Sequence, residues 1–326
     1  MPELGITATP VIDRASNTLY VLARTKEARD GGEAEYWQRL HALDLATGKE
    51  KFSGPVVIRA SVQSASGGPF GLFHGSVDFL ALHENPRAAI ALANGTLYLS
   101  WASSCDVPPY HGWVLAYNAH TLKQLAAFNT SPETMESGIW QSDTGPAVDE
   151  QGNVFVSTGN GVFKADRGGR DYGDSLLKLH LSSSGLQVND YFTPFNQAQL
   201  SQTDADLGSG GPILIAPERL VVVGGKGGVI YVLDSDRLGK FHLGRDANAL
   251  QSIPLGKEIK SAPAYWNGTS TTSPKVTLFA TTRYAGGISN YCVSRKHKWR
   301  ERAQPLPYQQ MAYRTESSGS SRAAPR

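Results

Sequence analysis

Gly145-Pro146-Ala147-Val148-Asp149-Glu150-Gln151-Gly152-Asn153-Val154-Phe155-Val156 sets a Pro-marked apolar run beside a β-branched and aromatic run, with Gln-Gly-Asn between them. Val and Phe suit a pleated, half-buried surface, and Gly or Asn accepts the positive φ of a tight hairpin. The stretch therefore reads as two antiparallel strands. Working outward, the same pair recurs four more times. Thr9-Pro10-Val11-Ile12-Asp13 leads to Thr18-Leu19-Tyr20-Val21, and Ala88-Ala89-Ile90-Ala91-Leu92 leads to Thr96-Leu97-Tyr98-Leu99. Gly211-Pro212-Ile213-Leu214-Ile215 leads to Leu220-Val221-Val222-Val223, and Ala262-Pro263-Ala264-Tyr265-Trp266 leads to Thr277-Leu278-Phe279-Ala280.

Third and fourth strands joined by a short polar turn follow in residues 40–52 and 114–128, with looser copies in 176–192 and 230–241. Aligning Tyr20, Tyr98, Phe155, Val221 and Phe279 gives spacings of 78, 57, 66 and 58 residues. Familiar propeller repeats run to roughly 40–50 residues, so loops are inserted between strands. The longest insertion, residues 58–87, is rich in Gly, Ser and His. A recurring four-strand unit that cannot bury its own faces signals sheets stacked about an axis, whereas a β-sandwich needs no such repeat. The expected fold is all-β: a β-propeller of four-stranded antiparallel blades, about five of them recognisable, in an incomplete ring. After Ala280-Thr281-Thr282 the pattern dissolves, and no third or fourth strand is expected in the fifth unit. The expected domains are a propeller over residues 1–290 and a basic, disordered tail over 291–326. The repeat reads as cut at both ends, and a shifted reading frame near Tyr291 would produce the same change in composition.

Composition agrees with a sheet-rich, turn-rich chain: 40% hydrophobic and 18% charged, with 34 Gly and 18 Pro in 326 residues. The net charge of +2 conceals an uneven distribution. Residues 294–326 hold eight Lys or Arg against two Glu, which leaves a net of −4 on the rest. A mildly acidic body offers no face that tracks phosphates, which argues against nucleic acid as a partner. No run of 18 apolar residues exists, so no membrane insertion is expected. Residues 1–10 have neither the charged region nor the apolar stretch of a secretory leader, so the sequence alone does not fix a location. Cys105 and Cys292 are too few and too far apart for a disulfide framework or a zinc site.

The segment Leu43-Asp44-Leu45-Ala46-Thr47-Gly48-Lys49-Glu50 resembles the repeat signature of pyrroloquinoline-quinone (PQQ) propellers, in which an Asp, a Thr-Gly turn and a basic residue close each blade. Ser104-Cys105-Asp106, Pro109-Tyr110-His111-Gly112-Trp113 and Gly168-Gly169-Arg170-Asp171-Tyr172-Gly173-Asp174-Ser175 resemble bacterial PQQ-binding-like β-propeller repeat proteins of the quinoprotein alcohol dehydrogenase-like superfamily. The likeness covers residues 2–268 and implies an exported or periplasmic protein. A more distant similarity is to the quinoprotein alcohol dehydrogenases themselves. Gly138-Ile139-Trp140, Gly159-Asn160 and Asp204-Ala205-Asp206 stand in the order those enzymes use. That similarity implies Trp140 as an aromatic floor for PQQ, Asn160 and Asp206 as metal ligands for Ca²⁺, and Asp204 as the catalytic base toward an alcohol. The chain also departs from the pattern. Cys105 has no neighbouring Cys, no upstream metal-binding Glu stands out, and the blade-docking Trp position is Phe52, Phe128, Phe192 and Phe241. Without the resemblance, Trp140 reads as packing between blades, Asn160 as a positive-φ turn between two Gly, and Asp204 and Asp206 as a solvated loop.

Other chemistry is sparse. No His-x-His or His-Glu-x-x-His occurs, and His74, His83 and His111 in the long insertions read as loop packing. Gly224-Gly225-Lys226-Gly227-Gly228 lacks the Lys-Ser or Lys-Thr ending and following helix of a phosphate loop and reads as a β-turn. No Gly-x-Ser-x-Gly elbow is present. Cys105, beside Asp106 and near His111, has the ingredients of a nucleophile, but Pro108-Pro109 marks a rigid structural loop. Two functions remain. The first is a binding or interaction scaffold that offers its loop face to a protein, peptide or saccharide. The alternative is a PQQ- and metal-dependent quinoprotein dehydrogenase of alcohols or sugars.

Overall fold

The computed structural model describes residues 4–28, 32–65, 75–142, 144–268, 275–281 and 288–293. Blade 1 runs β1 (Val11–Asp13), β2 (Thr18–Ala28), β3 (Ala34–Asp44) and β4 (Val56–Val57) from the inside outward. The insertion that follows carries a small ribbon of β5 (Ser61–Gln63) and β6 (Ser76–Asp78). Blade 2 pairs β8 (Ala91–Ala93), β9 (Thr96–Ser103), β10 (Trp113–Asn118) and β11 (Gln124–Asn129), with β7 (Glu84–Asn85) on the far end of β9. Blade 3 comprises β12 (Ala147–Val148), β13 (Asn153–Ser157), β14 (Leu176–Ser182) and β15 (Gly185–Phe192). After α1 (Gln197–Gln202), blade 4 comprises β16 (Ile213–Ile215), β17 (Leu220–Gly224), β18 (Val229–Asp234) and β19 (Gln251–Pro254). A fifth sheet pairs β20 (Ala264–Gly268), β21 (Lys275–Thr281) and β22 (Ile288–Val293).

The inner strands β1, β8, β12, β16 and β20 lie side by side in that order. Backbone bonds from Ile90 N–H to Thr9 O and from Ala89 N–H to Thr144 O, both 3.0 Å, tie the first three blades together near the axis. This radial arrangement of four-stranded sheets is a β-propeller, and the described residues form no closed ring.

Alternation along each strand explains why blades stack. Leu97, Leu99 and Trp101 of β9 pack with Tyr20, Leu22 and Leu40 of blade 1, while Tyr98 between them packs with Val154 and Val156 of blade 3. Phe155 turns the other way, toward Val221, Val223 and Tyr231 of blade 4. Leu220 and Val222 face Tyr265 of the fifth sheet. Successive side chains on a strand point to opposite faces, so each strand supplies two inter-blade cores. Three of the four Phe residues expected in the docking position meet an aromatic ring of the next blade: Phe52 meets His120 at 6.0 Å, Phe128 meets Tyr172 at 6.4 Å and Phe192 meets Tyr231 at 5.0 Å. Phe128 and Phe192 reach the next blade from outer strands, and Phe52 does so from the turn before one. Phe241 instead reaches back to Phe163 at 5.3 Å.

The Asp-x-x-Thr-Gly signature is a side-chain-stabilised turn. Asp44 Oδ1 accepts the N–H of Ala46 (3.1 Å) and Thr47 (2.9 Å) and the Thr47 hydroxyl (2.9 Å), and Gly48 supplies φ 68°.

Three expectations change. The outer strand of blade 1 is Val56–Val57 rather than residues 49–52, because Phe52 and Ser53 take φ of 55° and 58° and turn the chain first. In blade 4 the outer strand is Gln251–Pro254 rather than a segment ending at Phe241. The intervening segment is captured by blade 3: Leu238 N–H donates to Asp190 Oδ2 (2.7 Å) and Lys240 N–H to Tyr191 O (2.7 Å). The fifth unit does have a third strand, β22, which pairs antiparallel with β21. The expected tail from residue 294 onward and His74 lie outside the described residues.

Candidate functional site

Loops from blades 2, 3 and 4 meet around Trp140. Ile139 N–H donates to Trp101 O at 2.9 Å, which anchors the Trp140 loop to blade 2. The loop then runs against the one after β13, through Gly159 N–H to Gly138 O (2.9 Å) and Ser137 N–H to Asn160 O (2.7 Å). From below, Asp174 N–H donates to Gly159 O at 2.8 Å. The third loop follows α1, where Ala205 N–H bonds Leu200 O (2.9 Å) and Asp204 takes φ 53°. Blade 4 closes the group, since Lys226 N–H donates to Asp206 O at 2.9 Å.

Two glycines make this convergence possible. An ideal Cβ on Gly159 would overlap Asp206 Oδ1 and lie 2.8 Å from Trp140 Cδ1 and Nε1, so the carboxylate and the indole meet over a residue with no side chain. An ideal Cβ on Gly225 would overlap Asp206 O, so only Gly lets the Lys226 turn abut that loop.

The four residues singled out in the sequence are thus brought together, although their settings differ. Asp206 is 2% exposed, whereas the Asp204 side chain is 71% exposed. Asp206 is therefore no part of a solvated loop. Lys226 Nζ lies 2.6 Å from Asp206 Oδ2 and 2.9 Å from Asp204 Oδ2, while Asp206 Oδ1 accepts the Asn160 N–H at 2.8 Å. Asn160 does not take a positive φ; Gly161 does. Trp140 is half-buried, with the Arg87 guanidinium 5.8 Å from its ring centroid, and its buried Nε1 has no hydrogen-bond partner among the described residues.

Burial raises the Asp206 carboxyl above its ordinary range, against the opposing pull of Lys226 and the Asn160 N–H. Burial also acts to lower the Lys226 ammonium, but its bonds to Asp206 and Asp204 outweigh that and hold it raised. Beneath them Asp174 is wholly buried and pushed up to about 8, chiefly by desolvation; the Leu207 N–H on its Oδ1 (3.2 Å) opposes this and the Asp206 charge adds to it. Glu136 is raised by burial and then by Asp106 and Asp206. The Tyr110 hydroxyl is raised by burial and then by Asp106, Glu136, Asp206 and Asp204. These groups share one acidic field.

Lys226, Glu136, Asp106, Tyr110 and Asp174 are contributors the sequence reading did not place at this site. For Lys226 a signal existed: a single cation set among four glycines directly after a buried strand. Gly228 N–H to Gly225 O at 3.0 Å makes that segment the turn expected of it.

The donor set as placed does not suit Ca²⁺, which takes six to eight oxygen ligands. Both Asp206 oxygens are already bonded, and an ammonium sits where the two carboxylates converge. Among the described residues no group of three or more His, Cys, Asp or Glu could hold a metal ion. The nucleophile pairing fails too. The His111 imidazole is 1% exposed and engages Ser131 through Nδ1 (3.2 Å), while Cys105 is exposed. Glu84 is fully buried, its carboxylate accepting the backbone N–H of His111 (3.1 Å) and the Trp113 indole N–H (3.3 Å). No helix among the described residues is long and apolar enough to cross a membrane.

No family model matches the chain, and no curated protein matches it. Among solved structures it is similar to a europium-containing methanol dehydrogenase, at 13% identity and TM-score 0.49, over 90% of this chain and 50% of that one. It is similar to a quinohemoprotein alcohol dehydrogenase from Pseudomonas putida HK5, at 13% identity and TM-score 0.45, over 89% of this chain and 52% of that one. It is also similar to a glucose dehydrogenase, at 12% identity and TM-score 0.44, over 94% and 89% of the two chains. The chain spans about half the length of the first two.

Proposed function

We propose that the chain is a ligand-binding propeller whose loop face around Trp140 takes a saccharide or a similarly hydroxyl-rich ligand. One observation carries this reading: Lys226 links the buried Asp206 carboxylate to the mostly exposed Asp204 carboxylate, and a half-buried indole stands beside them. An aromatic face packs against the apolar side of a sugar ring, and Asp204, the Asn160 amide and Lys226 offer acceptors and donors for hydroxyl groups. Calorimetric titration with a panel of oligosaccharides and short peptides tests it. Saccharide binding that falls at least about tenfold in Trp140→Ala supports the proposal. Saturable binding of peptides alone, or an unchanged affinity in the variant, removes it.

The second reading is a PQQ-dependent dehydrogenase of alcohols or sugars, favoured by the convergence of Trp140, Asn160, Asp204 and Asp206. Bound PQQ would supply the redox chemistry, Trp140 its floor. Absorbance titration with PQQ, with and without Ca²⁺, separates the readings: stoichiometric binding lost in Trp140→Ala supports the second and counts against the first.

A further inference from the structure

Two carboxylates converging on one point in a partly buried loop normally need a counter-charge, because each ionised oxygen taken from water must be compensated. Here the compensation comes from the chain itself. Lys226 Nζ bonds Asp206 Oδ2 and Asp204 Oδ2 together, its side chain 20% exposed. Its position is fixed from two directions. The Lys226 N–H is held by Asp206 O at 2.9 Å, and Gly225 lets the turn approach that carbonyl more closely than any residue with a Cβ allows.

We propose that Lys226 is a tethered cation standing where a metal ion would bridge Asp204 and Asp206, so that the wild-type loop cluster is metal-independent. A cation carried on the same chain competes at high effective concentration and cannot diffuse away. An incoming Ca²⁺ or lanthanide must expel it or share the carboxylates with a like charge. Without Lys226, the two carboxylates are left as hard oxygen donors with no cation between them, in an acidic field that also includes Asp106 and Glu136. The inference rests on this geometry alone, and the identity of the ligand near Trp140 does not enter it.

The test uses the full chain as wild type, Lys226→Ala, Lys226→Gln, Lys226→Arg and the double variant Lys226→Ala/Asp206→Asn. Terbium luminescence sensitised by nearby tryptophan reports binding, and melting temperature with and without Ca²⁺ reports linkage. The proposal requires that Lys226→Ala or Lys226→Gln bind terbium saturably, at least about tenfold tighter than wild type, and gain melting temperature with Ca²⁺. Lys226→Arg should stay like wild type, and the double variant should lose what Lys226→Ala gained. Lys226→Gln keeps the test decisive if the Ala variant does not fold. Equal terbium affinity in wild type and both neutral variants, or no gain in either, overturns the proposal. A wild type that loses melting temperature on chelation overturns it as well.

Discussion

Replacing Asp174 by Asn tests whether the ground beneath the candidate site is held by a neutral carboxyl. Asp174 is wholly buried, its Oδ1 accepts the Leu207 N–H at 3.2 Å, and the Gln197 side chain is a further hydrogen-bonding neighbour of its carboxyl. Desolvation, with a smaller push from Asp206, carries its carboxyl from 3.8 to about 8. The folded state therefore keeps this proton across a range in which the unfolded chain has lost it. Stability from that proton is full below about pH 4 and is lost as the pH rises through about 8, since alkali favours the state that binds fewer protons. At about 1.4 kcal/mol for each tenfold change, the loss has an upper bound of about 6 kcal/mol. Asn reproduces the shape of the protonated acid and keeps an oxygen for Leu207, but it cannot ionise. Urea denaturation of both proteins between about pH 4 and about pH 9 measures the difference directly. The two should be nearly equal at the acid end, and Asp174→Asn should be the more stable by several kcal/mol at the alkaline end. A stability difference that does not change with pH, or a variant that is weaker throughout, would refute the argument.

Phe155→Ala removes a side chain with no exposed surface from the core between blades 3 and 4 and should cost about 3–5 kcal/mol in denaturant unfolding. A cost below about 1 kcal/mol would mean that the two blades do not share that core. Gly159→Ala places a methyl group against Asp206 Oδ1 and the Trp140 pyrrole edge, so it should lower stability by about 1–3 kcal/mol and shift the tryptophan emission. Gly152→Ala, in open space at φ 80°, should cost about 1 kcal/mol through backbone strain with no spectral change, and identical behaviour of the two variants would remove the crowding argument.

The inner hairpins were legible because their signal is local. Val154-Phe155-Val156 is β-branched and aromatic, Gly152 takes φ 80°, and β12 and β13 pair where the run indicates. Outer strands were legible only where the closing turn is short. From β14 to β15 the chain turns at Gly185 with φ 104° and the expected segment forms both strands. In blade 4 the same rule failed, because residues after Asp234 found partners on the edge of blade 3 before reaching their own sheet. An exposed strand edge offers unpaired backbone groups to whichever segment arrives first, and no local pattern encodes that outcome.

The site divides along the same line. Trp140, Asn160, Asp204 and Asp206 are singled out through the resemblance, by their type and order, and the fold brings their loops together. Their charge state is not legible that way, because it depends on Lys226 from the following blade and on Gly225 permitting its approach. Seen as a string, Asp204-Ala205-Asp206 is a solvated loop, or, under the resemblance, a base followed by a metal ligand. Seen in the fold, one acid is 2% exposed with both oxygens bonded, and the other is mostly exposed and tied to the same ammonium. A single lysine thus turns a donor pair into an internal salt link, and the chemistry of the loop face follows from that partner more than from the acids themselves.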